Sequence, residues 1–263
     1  MNNWRTLFAL VALVLVLQGC VTTIGIKSNP SDQQTTMYES GAKAVVSAKT
    51  NIVAVRPVSQ SFKSNKKPSF VVTIQNGTSN QINFSTENIS ARNNNKLIKV
   101  FTYDELVAEV EKQKAIQAFA TALAGAGRAM SAANAGNQYQ HGSYNSHSNG
   151  NIYSPYGNAS YSGNEYGTYS GYSYNAAAAQ QAQAVAQAQT DKDFARIAAN
   201  SESALSELGR TILRKHTVFP GKWHGGYIKL AHIELGEGKN SLAVVVDVGG
   251  EMHPFNFTLY KVE

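Results

Sequence analysis

The chain has 263 residues, a formal net charge of +6 and a single cysteine, with 43% hydrophobic and 10% aromatic residues. That length allows one or two domains with a genuine core, and one thiol excludes an internal disulfide framework. The apolar residues are unevenly spread, so composition divides the chain into segments.

Residues 1–19 carry the three parts of a secretory signal in order. Arg5 supplies a positive start, residues 7–17 form an apolar run too short to span a bilayer, and small Gly19 precedes Cys20. Leu17-Gln18-Gly19-Cys20 resembles the lipobox of bacterial lipoprotein precursors. The resemblance implies cleavage before Cys20, a diacylglycerol thioether on its sulfur and a further acyl chain, such as palmitate, on the new amine. It assigns no family to the mature domain. A single acyl chain anchors only marginally, at ~0.8 kcal/mol per buried methylene, whereas three hold the protein to the membrane. In such lipoproteins an Asp directly after the cysteine signals inner-membrane retention. Val21 stands there instead, which implies the outer membrane. Residues 20–50, rich in Ser, Thr, Asn and Gln, then read as the lipidated cysteine and a flexible tether, with room for a short helix over 39–46.

From Asn51 the pattern turns to short alternating runs. Residues 52–56, closed by Pro57, read as a strand, as does 70–74, which ends at the Asn76-Gly77 turn. Further strands are expected at 82–84, at 89–91 and, after the Asn93-Asn94-Asn95 turn, at 97–101. The same character returns at 227–235, 242–248 and 255–259. Neither half, 51–101 or 216–263, has strands enough to cover its own apolar face. Together they predict one immunoglobulin-like antiparallel β-sandwich in an α+β chain, with an up-and-down barrel as the alternative.

Residues 102–215 interrupt that sandwich. Thr102 and Glu105 match the capping box, which starts a helix running to about residue 134. Ile116, Ala120, Leu123, Gly127 and Met130 recur at coiled-coil spacing. A returning helix begins in the Ala/Gln run at 176–189, and Phe194, Ile197, Ser201, Leu205, Leu208 and Ile212 continue its seam. Gly209 could cap it early. The expected geometry is a helical hairpin, with packing of these segments back onto the sheet as the alternative. Between the helices, residues 137–175 are almost wholly Tyr, Ser, Asn and Gly and hold nine of the 13 tyrosines. Such a tip is expected to be disordered, either as a spacer or as a sticky segment able to self-associate.

No catalytic motif appears. The chain lacks a Gly-x-Ser-x-Gly elbow, His-Glu-x-x-His and a Walker loop, and Gly125-Ala126-Gly127 falls inside a helix. His216, His224, His232 and His253 lack close metal-ligand spacing, so no metal and no cofactor is expected. Around Trp223 and His224, a Pro-Gly turn and a Gly-Gly strand start favour a structural role, Trp223 covering the edge of the core. The competing reading is an exposed aromatic loop for partner contact. Lys63, Lys66 and Lys67 form one basic cluster and Arg210, Arg214 and Lys215 another. Their candidate partners are anionic envelope polymers and lipid headgroups, without the aromatic platforms that nucleic acid requires.

These readings converge on a non-enzymatic, outer-membrane-anchored lipoprotein that binds or assembles within the bacterial cell envelope. The lipid attachment site is Cys20, and the residues singled out for partner contact are Trp223, His224, Tyr153, Tyr156, Tyr161 and Tyr166. The expected partners are the membrane and another envelope protein or anionic polymer. The alternative class is a surface-displayed adhesin or matrix protein that self-associates through the Tyr-rich tip.

Overall fold

The computed structural model describes residues 21–262 apart from Ser40. Residues 1–20, and with them the lipobox, lie outside the described residues. In chain order the elements are β1 (Thr23–Asn29), β2 (Gln34–Glu39), β3 (Ala42–Ala48), β4 (Ile52–Pro57), β5 (Ser61–Lys63), β6 (Ser69–Gln75), β7 (Ile82–Phe84), β8 (Ile89–Asn93), β9 (Lys96–Ile98) and β10 (Val100–Phe101). Helix α1 (Tyr103–Asn134) follows, then β11 (Asn137–Ser154), β12 (Gly157–Tyr174) and helix α2 (Ala176–Thr211). The chain continues through β13 (His216–Val218), β14 (Trp223–Leu230), β15 (Asn240–Val248) and β16 (Glu251–Val262). It divides into two compact units, residues 1–109 with 204–263, and residues 110–203.

The first unit is an antiparallel β-sandwich. One sheet runs β5-β1-β16-β15-β8-β9 and the other β10-β14-β6-β4-β3-β2, while β7 and β13 form a short separate pair. Side chains alternate in burial along β6, β15 and β16, as a strand's period of two dictates when one face meets a core. Both sheets feed one core. Phe70 of β6 lies against Phe257 of β16 with ring centroids 5.1 Å apart, among Val53, Val72, Ile228, Leu242 and Val244.

Residues 23–48 are not a tether. They form β1, β2 and β3, and in place of the helix expected over 39–46, Glu39 ends β2 and residues 42–46 belong to β3. β1 lies between β5 and β16, pairing Thr23 with Val262 and with Lys63, and buries Ile24 and Ile26. β3 lies between β2 and β4 and buries Ala44 and Val45. Polar residues alternate with these few aliphatic ones, so a segment poor in large apolar groups still completes both sheets. Downstream, the strand expected over 227–235 ends at Leu230, and residues 231–239 form a loop gathered by Asn240. The Asn240 side chain accepts from the Gly236 N–H at 2.6 Å and donates to the carbonyls of Gly236 and Gly238.

The capping box at α1 is present. Thr102 Oγ1 accepts from the Glu105 N–H at 3.3 Å, and Glu105 Oε2 accepts from the Thr102 N–H at 3.0 Å. Lys99 beside Glu105 holds that carboxyl below its usual value. Gly209 does not stop α2, which runs to Thr211. Arg214 instead donates to the Gly209 carbonyl at 2.9 Å.

In the second unit the coiled-coil seam expected on α1 is wrong. Ile116, Leu123 and Met130 stand exposed, as does Phe119. The inward line is Ala118, Thr121, Gly125, Arg128 and Ala132. Gly125 meets Thr190 so closely that a Cβ there would lie 2.9 Å from Thr190 Cγ2. Arg128 pairs with Asp193 at 2.9 Å, and Arg196 shares the same carboxylate. Small residues let backbones approach, so the contact line follows size and charge complementarity rather than hydrophobicity. On α2, Ile197 and Ser201 are buried as expected, whereas Phe194 of the same expected seam is exposed.

The tip is not shapeless either. Residues 137–174 form a two-stranded ribbon, closed by a turn at Pro155-Tyr156.

Candidate interaction surfaces

The ribbon owes its register to its composition. Cross-strand partners share a face, and every glycine of the ribbon lies on one face: Gly142 and Gly150 on β11, Gly157, Gly163, Gly167 and Gly171 on β12. That face carries three tyrosines, each directly opposite a glycine: Tyr144 with Gly167, Tyr161 with Gly150 and Tyr169 with Gly142. The rings lie over the bare backbone, since a Cβ added at these glycines would stand 2.3–2.6 Å from ring atoms. An aromatic ring covering a cross-strand glycine is a recognised device for fixing register. The opposite face holds Tyr139, Tyr153, Tyr166, Tyr172 and Tyr174 among Asn, Ser and His, and Tyr139 meets Tyr172 edge-on at 5.3 Å.

The singled-out tyrosines are therefore placed. Tyr153 and Tyr166 lie on the Asn/Ser face, Tyr161 lies on the glycine face, and Tyr156 at the turn is fully exposed. Charge is nearly absent, Glu165 being the one carboxylate, with Tyr144 donating to it at 3.3 Å. A two-stranded ribbon wet on both faces is only marginally stable in water. Its exposed tyrosines combine a large apolar body with a hydroxyl, which suits them to contact.

In the sandwich, Trp223 is 55% exposed and Phe219 is exposed beside it. Trp223 opens β14 and does not cover the edge of the core as expected. Gly225 and Gly226 at the start of β14 do have packing roles, as a Cβ at either would fall within 2.9 Å of backbone atoms. His224 stacks on His216 with centroids 4.4 Å apart. Burial pulls its imidazole below the usual value, the bond to the Arg214 carbonyl opposes this, and His216 adds to the depression. Arg210, Arg214 and Lys215 complete a shallow cleft of about 410 Å³ with these histidines. Cations at the end of α2 also complement its dipole, which accounts for them without a ligand.

The four C-terminal histidines do not converge. His232 is exposed, whereas His253 is fully buried elsewhere. Among the described residues no group of three His, Cys, Asp or Glu is placed to hold a metal ion, and no helix is long and apolar enough to cross a membrane.

One constellation was missed from sequence. His253 Nδ1 lies 3.0 Å from Ser47 Oγ, and its Nε2 lies 3.3 Å from Glu251 Oε2. Glu251 also accepts from the N–H groups of Asn51 at 2.8 Å and Thr50 at 3.2 Å, and from the Asn51 amide at 3.0 Å. Ser, His and a carboxylate are the residue types of an acyl-transfer triad. Here, however, His253 is 0% and Ser47 5% exposed, so no substrate carbonyl can approach the hydroxyl. The group ties β3 and the turn after it to the β15–β16 hairpin, across the two sheets. Asn51 extends the tie to the Val248 carbonyl and the Gly77 N–H. Gly77 approaches so near that a Cβ would lie 1.8 Å from the Thr50 carbonyl oxygen. Only the spacing of Glu251 and His253, two apart on one face of a strand, hinted at this in the sequence.

No protein-family model, no curated protein and no solved structure matches this chain.

Proposed function

We propose that this chain is a lipid-anchored, non-enzymatic component of the bacterial cell envelope, held at the outer membrane through Cys20, whose work is binding or assembly. In this reading the sandwich is immunoglobulin-like, enlarged at its edges, and the two helices form a hairpin that carries the ribbon as its contact surface. The observation that carries the reading is the ribbon. Two 18-residue strands expose tyrosines on both faces yet bury almost nothing, an arrangement that has no value to the fold itself.

The anchor follows from the resemblance of Leu17-Gln18-Gly19-Cys20 to the lipobox. With β1 starting at Thr23, the three residue steps back to Cys20 can span at most ~11 Å of chain. The lipid would therefore seat one end of the sandwich on the membrane surface. Lys63, paired with Thr23, and Lys261, paired with Ile24, are exposed at that end, with Lys66 in the following turn. Each such lysine near an anionic leaflet contributes about 1 kcal/mol.

Replacing Cys20 by serine tests the anchor. Cys20→Ser is expected to abolish metabolic labelling by a palmitate analogue and to leave the precursor uncut. Normal processing and membrane retention of that variant would contradict it. The adhesin reading differs in where the ribbon is displayed. Protease applied to intact cells cuts it if it faces outward and spares it if it lies within the envelope.

A further inference from the structure

Strands β11 and β12 pair only with each other, so each leaves one full edge of backbone N–H and C=O groups without a strand partner among the described residues. Natural edge strands are guarded by lysines, prolines, bulges or shortness. These edges have none of those guards. The strands run 18 residues without a register break, the ribbon contains no Lys or Arg, and its one proline sits in the turn. With Glu165 its one charge, the β12 edge repels its own copy little.

We infer that two copies of this chain pair through the β12 edges of their ribbons, antiparallel, about a two-fold axis at Tyr166. The register follows from the spacing of the glycines on β12, which leaves each glycine-face tyrosine with a residue lacking a side chain opposite it in the second copy, as it already has within the ribbon. With Tyr166 facing Tyr166 of the second copy, Tyr161 of each copy faces Gly171 of the other, and Tyr169 faces Gly163. The rings of Tyr161 and Tyr169 already lie over Gly150 and Gly142 of β11, so across the new edge each meets a glycine with no side chain to clash against, twice over by symmetry. Glu165 faces Gly167, so the two carboxylates are not directly opposed. On the other face Ser162 faces Ser170 and Asn164 faces Thr168, pairs that hydrogen-bond without strain. The interface is isologous and closes as a dimer on this edge. The result is a four-stranded sheet, above the two-stranded size that is marginal in water. This deepens the reading of the ribbon as a contact surface and does not depend on the lipid.

The test uses the full mature chain in detergent, with sedimentation velocity across a concentration series and photo-oxidative coupling of tyrosines read by mass spectrometry. A tyrosine coupled to its own counterpart can only join two copies. The expected result is a concentration-dependent dimer in which Tyr166 couples to Tyr166, with that product lost in Tyr166→Phe. Ser162→Lys with Ser170→Lys places like charges opposite each other twice and should weaken the dimer about tenfold. Ser162→Thr with Ser170→Thr, which keeps strand propensity without charge, should leave it intact. A monomer at every concentration, a dimer insensitive to the lysine pair, or self-coupling confined to Tyr144 and Tyr153 of β11 would overturn the proposal. A monomer whose ribbon still crosslinks to other envelope proteins would leave the contact-surface reading standing.

Discussion

Val45→Asp is expected to unfold the sandwich. Val45 is 1% exposed on β3, in the core shared by both sheets. A carboxylate there has no partner to offset its desolvation, and such changes cost roughly 4 kcal/mol or more. Against a typical total stability of about 5–15 kcal/mol, that removes most of the folded population. Soluble yield and the melting transition by circular dichroism report the outcome. Lys43→Asp, two residues earlier and exposed, should change the melting temperature little. If residues 20–50 were a tether, both changes would be equally silent.

Glu251→Ala should be the most damaging polar substitution in the sandwich. The carboxylate accepts from two backbone N–H groups and the Asn51 amide and also contacts His253, so its loss strips the buried Asn51 N–H and the buried His253 imidazole of a partner. The expected loss is about 3 kcal/mol, or roughly 6–12 °C in Tm for a unit of this size. The same group sets the response to acid. Burial pulls the His253 imidazole below its ordinary 6.5, and the Glu251 charge only partly restores it. Burial pushes the Glu251 carboxyl up, but the Asn51 and Thr50 donors outweigh it and leave the carboxyl below 4.5. For both, the unfolded chain binds the proton more readily than the folded one. The stability they contribute is therefore present in full above the unfolded values and lost on acidification. His253 acts first, as pH falls below 6.5 through its lowered value, and Glu251 follows below 4.5. Thermal melts from neutral to mildly acidic pH should show Tm falling, and His253→Gln should flatten the first part of that fall. A Tm that rose on acidification would contradict this wiring.

Much of the sandwich was legible because its central strands alternate large apolar residues with polar ones. Phe70, Val72 and Ile74 on β6, and Phe255, Phe257 and Leu259 on β16, mark the core by period alone. The first three strands were not legible for the same reason in reverse. Ile24, Ile26 and Val45 are too few to stand out among Ser, Thr and Lys, and their burial comes from β16 and β4, far away in sequence. On α1, hydrophobicity pointed to Ile116 and Leu123, but the contact line is carried by Gly125 and Arg128, which score poorly on any apolar scale. The ribbon was hidden because its order is a relation between strands. Composition says Tyr and Gly, whereas only the register puts Tyr161 over Gly150 and Tyr169 over Gly142. The Trp223 loop was legible as a turn and misread as a cover for the core.

The direct test of the proposed function is crosslinking in the native envelope with and without the ribbon. Residues 137–175 would be replaced by a short Gly/Ser linker, a change that disturbs the sandwich little because loop closure costs only about 0.6 kcal/mol per doubling of length. Wild-type protein and the replacement would be crosslinked in intact cells, purified and compared by mass spectrometry, with membrane retention followed in parallel. The expected result is that the replacement stays in the membrane fraction with an unchanged melting temperature and loses its crosslinked species. An identical set of crosslinked species without the ribbon would contradict the assignment of this surface as the working part of the molecule.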